Sequence, residues 1–266
     1  MQGDTIMNWS NITYAVHQKV ASVALNRPDK RNAFNAALIA ELKAAFAMAE
    51  GDAQVKVIVL KGNGEVFSAG ADLGYPQSLQ NNTYQENLED SLSLMELYKQ
   101  IYTLSKPVIA QIEGHAIAGG CGLATICDFS FAVDEAKFGY TEVGIGFIPA
   151  IVMVFLLRKI GERNAKELLL TGKLISAAEA KQMGLINDVV GVENIEATVE
   201  QLCQSLIEKT SRASLQATKQ MIAAVQEMGL NEALQYAAEM NAKARATDDC
   251  KHGINAFLNK QKPNWD

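Results

Sequence analysis

Cysteine is scarce and unpatterned. Cys121, Cys127, Cys203 and Cys250 fall in no CxxC or Cys/His ligand spacing, so buried free thiols are expected rather than a disulfide framework or a zinc site, and no metal is expected. An excess of positive charge is also missing. The 266 residues carry 24 Lys and Arg against 30 Asp and Glu, with no basic run or aromatic-interleaved basic stripe, which argues against nucleic acid as a partner. Long apolar runs are absent too: the longest, Ile145 to Leu157, is interrupted by Gly146 and Pro149 and is too short to span a bilayer, so no membrane partner is expected. The opening Met1-Gln-Gly-Asp-Thr-Ile6 lacks a basic segment followed by an apolar one, so no signal peptide is expected and the cytoplasm is the expected compartment. Three familiar motifs are lacking as well. Phe67 stands where a dinucleotide fingerprint starting at Gly62 needs glycine, Gly120 stands where a P-loop needs lysine, and no G-x-S-x-G elbow occurs.

What is present is organised around Ile112 to Asp128. The apolar run Pro107-Val-Ile-Ala-Gln-Ile112 reads as a strand that breaks at Gly114, Gly119, Gly120 and Gly122 and restarts as a helix. The first N–H groups of such a helix have no intrahelical partner, and with the positive end of the helix dipole they suit a developing negative charge. Taken alone, the stretch fits a tight packing joint that needs small residues equally well.

On either side the chain alternates strand and helix. Ile12 to Val16 and Val20 to Leu25 read as a hairpin, and Asn26 to Phe34 as a basic, turn-rich loop. Asn35 can cap a helix over Ala36 to Glu50. Val55 to Leu60 is a buried strand that runs into a second glycine loop, 62–73. A loop over 74–83, a long helical period from Tyr84 to Leu104, and a strand over Phe129 to Val133 follow. Residues 139–149 form a third glycine-punctuated loop carrying one carboxylate, Glu142, among apolar neighbours. An amphipathic stretch from Ala150 ends at Gly161, and beyond Glu162 the pattern is almost wholly helical. A β-rich front and a helical back indicate an α/β core with a helical extension.

With three strand-following glycine loops in place, the sequence resembles the crotonase superfamily, the enoyl-CoA hydratase and isomerase group. The matching pieces are Arg27-Pro-Asp-Lys-Arg-Asn-Ala33, Phe67-Ser-Ala-Gly-Ala-Asp-Leu73, Gly114-His-Ala-Ile-Ala-Gly-Gly-Cys121, Cys127-Asp128 and Phe138-Gly-Tyr-Thr-Glu-Val-Gly144. Further pieces are Leu169-Leu-Thr-Gly172, Ala177-Ala-Glu-Ala180, Gly184-Leu-Ile186 and Gly253-Ile-Asn-Ala-Phe257. The resemblance implies a crotonase-type spiral of repeated β-β-α units over residues 1–192 and a C-terminal helical oligomerisation region over 193–266, building a homotrimer or hexamer. It implies an acyl-CoA thioester as substrate, with no separate cofactor because CoA is part of that substrate. It puts an oxyanion hole on the backbone N–H groups of Ala71 and Gly119, adenine contacts at Ala69 and Leu73, and CoA phosphates near Arg27 and Lys30. Lys260 matches a lysine lent by a neighbouring subunit.

One departure bears on the reaction. The family's hydratases carry two catalytic glutamates, and here the first position is Gly122 while the second is Glu142. A single carboxylate suits double-bond isomerisation of an enoyl-CoA, with Glu142 carrying a proton from C2 to C4, and this is the expected activity. The alternatives are an enoyl-CoA hydratase working without the first glutamate, an acyl-CoA decarboxylase, and a non-catalytic acyl-CoA-binding assembly protein. The neighbours Val143, Ile145, Phe147 and Ile148 are expected to desolvate Glu142. Asp72 is expected to shape its loop, His115 to pack beneath the central loop, and Asp128 to cap or pair structurally. Tyr75, Tyr84 and Tyr140 are candidates to line the acyl pocket.

Overall fold

The computed structural model describes residues 5–72 and 81–265. The expected hairpin is formed by β2 (Ile12–His17) and β3 (Val20–Leu25), with His17 opposite Val20. Its two turn residues, Gln18 and Lys19, have φ of 47° and 68°, the left-handed pair that matches the twist of the flanking strands. A strand that the pattern did not announce, β1 (Thr5–Asn8), pairs antiparallel with β2.

From β3 the sheet continues in parallel through β4 (Val57–Gly62), β6 (Val108–Ile112), β8 (Phe129–Ala132) and β11 (Asp188–Val189). The central strands β4 and β6 read as continuous apolar runs because both faces of the sheet are covered. On one face lies the main core, which takes Leu38, Leu42, Ala45, Phe46 and Ala49 from α1 (Ala36–Gly51). Asn35 caps that helix through the Leu38 N–H, as expected. Helix α2 (Tyr84–Thr103) starts at a capping box between Thr83 and Glu86 and brings Leu97, Tyr98 and Ile101 into the same core. On the other face Val57, Val59 and Ile109 meet Val199, Cys203, Leu206 and Ile207 of α6 (Ile195–Lys209).

A second, four-stranded sheet positions the site. Its order is β10 (Ile175–Ser176), β9 (Lys137–Gly139), β7 (His115–Ile117), β5 (Val66–Ser68), with β5, β7 and β9 parallel. Each follows a large-sheet strand: β4 leads to β5, β6 to β7 and then α3 (Gly119–Ile126), and β8 to β9 and then α4 (Ala150–Thr171). Repeated strand–strand–helix units are therefore present, and the mixed α/β crotonase architecture is realised. The first helical stretch of α4 ends at Gly161 as expected: at φ 73° and ψ 167° that residue is non-helical, and a second stretch continues beyond it to Thr171.

After α5 (Ala177–Gln182) and α6 come α7 (Arg212–Val225), α8 (Leu230–Ala246) and α9 (Asp248–Leu258). These last three bury little of their own and leave Ile222, Leu230, Leu234, Ile254, Phe257 and Leu258 exposed. No described helix is long and apolar enough to cross a membrane.

Asp128 is structural, as expected. Its Oδ2 accepts from the Val108 N–H and from Lys219 Nζ, each at 2.7 Å, and Lys219 also donates to the Lys106 carbonyl at 2.8 Å. One carboxylate thereby ties the start of β6 to α7. The Lys219 side chain is only 9% exposed, whereas Asp128 is 27% exposed, so removing the carboxylate strands a nearly buried ammonium. Asp128→Ala is expected to cost about 3 kcal/mol in urea unfolding, the low end of a buried-pair loss. A variant as stable as wild type would show that the pair does not fasten these elements.

Candidate functional site

Because β5, β7 and β9 are parallel neighbours, their carboxyl ends lie side by side, the place where open α/β sheets bind ligands. The three glycine loops leave from those ends. Residue 71, just past β5, makes a parallel bridge with Phe34: the Phe34 N–H reaches the Gly70 carbonyl at 2.6 Å and the Asp72 N–H the Phe34 carbonyl at 3.1 Å. In that pattern the N–H of Ala71 points to the side away from Phe34. Gly70, at φ +83°, lets the segment approach residues 117–119 closely. A Cβ there would lie 2.8 Å from the Ala118 Cβ and 3.2 Å from the Gly119 nitrogen.

On the facing side, Ala118 holds φ 50° and ψ −123°, a conformation that costs a non-glycine residue about 1–3 kcal/mol. Its N–H donates to the Gly139 carbonyl at 2.8 Å, which ties the end of β7 to β9. The first bond of α3 runs from the Gly122 N–H to the Ala118 carbonyl, so Gly119 at the helix start has no intrahelical acceptor. The strained turn presents this N–H, with the positive end of α3, to the space beside residues 70–71.

Glu142 follows β9 and opens a 3₁₀ turn, Glu142–Ile145, closed by Gly146 at φ 77°. Its Oε2 is buried and has no hydrogen-bond partner among the described residues. Burial raises its carboxyl above the ordinary 4.5, and its own backbone N–H offsets this in part. The source of burial differs from expectation. Ile145, Phe147 and Ile148 are 78%, 53% and 71% exposed in the single chain and do not wall the carboxylate. Its charge adds to the upward shift of the buried Cys121 and Tyr98.

The space beside Gly122 is filled. A Cβ at 122 would sit 2.3 Å from Val152 Cγ1 and 2.9 Å from Tyr98 Oη. Tyr98 is fully buried, donates its hydroxyl proton to the Gly119 carbonyl at 2.5 Å, and packs edge-on against Phe155. Restoring the family's first glutamate by Gly122→Glu alone therefore collides with both neighbours. Tyr98 was not singled out from the sequence. Its position in the helical period marks it as core, and no periodicity shows where its hydroxyl points.

The remaining expected residues scatter. Arg27 pairs with Asp72 at 3.0 Å and also donates to the Ala33 carbonyl, fixing the loop that carries Ala71. Lys30 is exposed on the turn Pro28–Lys30. Ala69 lines a cavity of about 370 Å³ with Arg31, Glu65, Val66 and His115. His115 is thus at the surface, accepting from the Lys137 N–H at 3.3 Å, and does not pack beneath the loop as expected. Tyr140 is buried with its hydroxyl 2.7 Å from Thr125 Oγ1, so it is a core residue rather than a pocket wall, and Tyr84 is 80% exposed. Lys260, past α9, is exposed. Leu73 and Tyr75 lie outside the described residues. The cysteines are free, and burial pushes Cys121, Cys127 and Cys203 up to about 12, which leaves them inert. No group of His, Cys, Asp and Glu among the described residues is arranged to hold a metal.

Comparison with known proteins agrees with this architecture. The family model described as "Enoyl-CoA hydratase/isomerase" matches residues 15–266. A Thermus thermophilus protein provisionally named enoyl-CoA hydratase is 42% identical over 250 residues, covering 92% of this chain and 97% of its own. The 2,3-dehydroadipyl-CoA hydratase of Escherichia coli is 34% identical over 261 residues, covering 96% and 98%. The crystal structure of a provisionally assigned enoyl-CoA hydratase/isomerase from Legionella pneumophila superposes with a TM-score of 0.88 at 38% identity, covering 97% of this chain and all of that one. Matched by that family model over nearly its whole length and by relatives of this identity, the chain belongs to the enoyl-CoA hydratase/isomerase family of acyl-CoA enzymes.

Proposed function

We propose that this enzyme reversibly hydrates 2-enoyl-CoA thioesters, with Glu142 as the sole carboxylate acid/base. The Ala71 and Gly119 N–H groups hold the thioester oxygen. The observation that carries the reading is the Glu142 carboxylate itself: an unpartnered, buried Oε2 at the end of β9, raised above its ordinary value. A group so placed can take a proton from water and return it to C2 without changing state over the cycle. Two backbone donors fixed before substrate arrives stabilise the enolate oxygen most as its charge develops. The curated relatives described above are named hydratases, which supports hydration.

Isomerisation of a 3-enoyl thioester, the reaction expected from the sequence, is the second reading. The absence of a second carboxylate at Gly122 favours it. At the other end of the substrate, Ala69, Arg31 and His115 around their shared cavity, with Lys30 nearby in sequence, suit the adenine and phosphates of CoA. The exposed apolar side chains of α8 and α9, with Lys260 beyond them, suit contact with further copies of the chain in a trimer or hexamer. A cytoplasmic location belongs to the same proposal.

The deciding experiment offers 2-enoyl, 3-enoyl and carboxyacyl thioesters and reads mass and absorbance. Net addition of water to the 2-enoyl ester supports the proposal. Isomerisation alone moves the second reading forward, loss of CO₂ points to a decarboxylase, and binding without turnover points to an assembly protein. Glu142→Gln keeps the volume but cannot take a proton, so turnover is expected to fall by ~10²–10⁴-fold with KM little changed. Retention of near-full turnover would remove Glu142 from the mechanism.

The pH dependence follows from the same group. The base form is the ionised one, and burial raises the carboxyl above 4.5. On going down in pH, kcat/KM should therefore fall at a value above the ordinary carboxylate range, and this limb should be missing from any residual Glu142→Gln activity. An acid limb at or below the ordinary value would contradict the desolvated base.

A further inference from the structure

Two backbone N–H groups from different strand ends can hold one oxygen only if their separation and direction are fixed. One residue touches both segments. Ser68 ends β5 opposite Ala116 of β7 and is fully buried. Its hydroxyl donates to the Asn32 carbonyl at 2.9 Å, and its Oγ accepts the Gly70 N–H at 3.2 Å. The Gly70 carbonyl is held on its other side by the Phe34 N–H at 2.6 Å. With both polar groups of Gly70 engaged, the plane of the Gly70–Ala71 peptide is set. The Ala71 N–H lies trans to the Gly70 carbonyl and so points away from Phe34.

Towards the other segment, Ser68 lies against the start of α3. A Cβ on Gly120 would stand 2.4 Å from the Ser68 carbonyl oxygen and 2.8 Å from its Oγ, so the contact requires glycine there. Gly120 follows Gly119 directly. Ser68 is therefore bonded to one segment and in steric contact with the other. Its hydroxyl is anchored in turn. Asn32 is fully buried at φ 52°, a left-handed conformation that asparagine adopts more readily than most residues. Its amide donates to the carbonyls of Asn63 and Val66 at 2.9 and 2.8 Å, and its side-chain oxygen accepts the Arg27 N–H at 2.8 Å. Asn32 cannot turn away from Ser68 without breaking these three bonds.

We propose that Ser68 is the positioning residue that sets the separation and direction of the Ala71 and Gly119 N–H groups. The proposal rests on the oxyanion reading given above and holds for hydration and isomerisation alike. Ser68 touches no reacting atom. Without its hydroxyl the buried Gly70 N–H loses its acceptor, and the 70–71 peptide turns to find another. Enolate formation reads the consequence directly. Glu142 takes a C2 hydrogen as a proton, the C–H electron pair moves into the enolate, and the negative charge arrives on the thioester oxygen. In D₂O the carboxyl then returns a deuteron to C2, which restores the carboxylate and labels the ester.

The probe is butanoyl-CoA labelled with carbon-13 at its carbonyl, which has no double bond to hydrate or shift. Infrared difference spectra of the ester bound to wild type should show the carbonyl stretch lowered from its free value. In Ser68→Ala about half or more of that lowering is expected to be lost, with C2 exchange about 10²-fold slower, the scale of a misplaced group, and Kd for the ester little changed. If the alanine variant does not fold, Ser68→Cys, whose thiol is a weaker donor and acceptor, should move both readouts the same way by less. Both readouts at wild-type values, even with a lowered urea midpoint, would reduce the hydroxyl to a stabilising contact and overturn the proposal. Slower exchange with an unmoved stretch would overturn it too, because the loss would then arise away from the two donors. A wild-type enzyme that leaves the stretch at its free value would overturn the oxyanion reading itself, and the Ser68 role with it.

Discussion

The proposed oxyanion hole requires two backbone segments from different strand ends to come close enough to point their N–H groups at one oxygen, and the rest of the proposed site depends on that approach. Gly70 makes it sterically possible, since a Cβ there would meet Ala118 at 2.8 Å. Ala118 makes it directional by holding φ 50°, at a cost of about 1–3 kcal/mol. The loss of one such donor in enzymes with an oxyanion hole is about 2.7–4 kcal/mol of transition-state stabilisation, so the strain is of the same order as the effect the proposed hole would supply. The surrounding bonds serve this arrangement. Arg27 holds Asp72, Phe34 bridges Ala71, Gly139 holds Ala118, and Tyr98 holds the carbonyl of Gly119.

The carboxylate is governed by a different balance. Glu142 is buried enough for its carboxyl to rise, but no arginine or lysine pairs with it among the described residues, so it keeps the basicity that the proposed proton transfer would require. Position 122 is a glycine, so no second carboxylate stands there. Two carboxylates sharing a site raise one another's pKa values, and Glu142 is free of that repulsion from residue 122.

Much of this was legible in the sequence, and the reasons are physical. The continuous apolar runs of β4 and β6, the Asn35 cap and the three glycine loops each have a local signature, and Glu142 stood out as one acid among apolar residues. The two-residue strands β10 and β11 are too short to carry a period, and β1 is recognisable only once β2 offers it an edge. The outward turn of Ile145, Phe147 and Ile148 could not be read, since apolar character does not say which side of a 3₁₀ turn faces inward. The same limit hid His115 at the surface and Tyr140 in the core. Tyr98 was hidden most deeply. A helix period places its ring in the core, but its hydroxyl acquires meaning only when α2 is laid across the start of α3.

The central claim is that the N–H groups of Ala71 and Gly119 receive the thioester oxygen beside Glu142. A crystal structure with a non-reacting acyl-CoA thioester bound tests it directly. The account predicts the thioester oxygen at about 3 Å from both nitrogens, with C2 beside Glu142. A thioester oxygen bound elsewhere, or either N–H engaged in a ladder or helix bond in the complex, would contradict it.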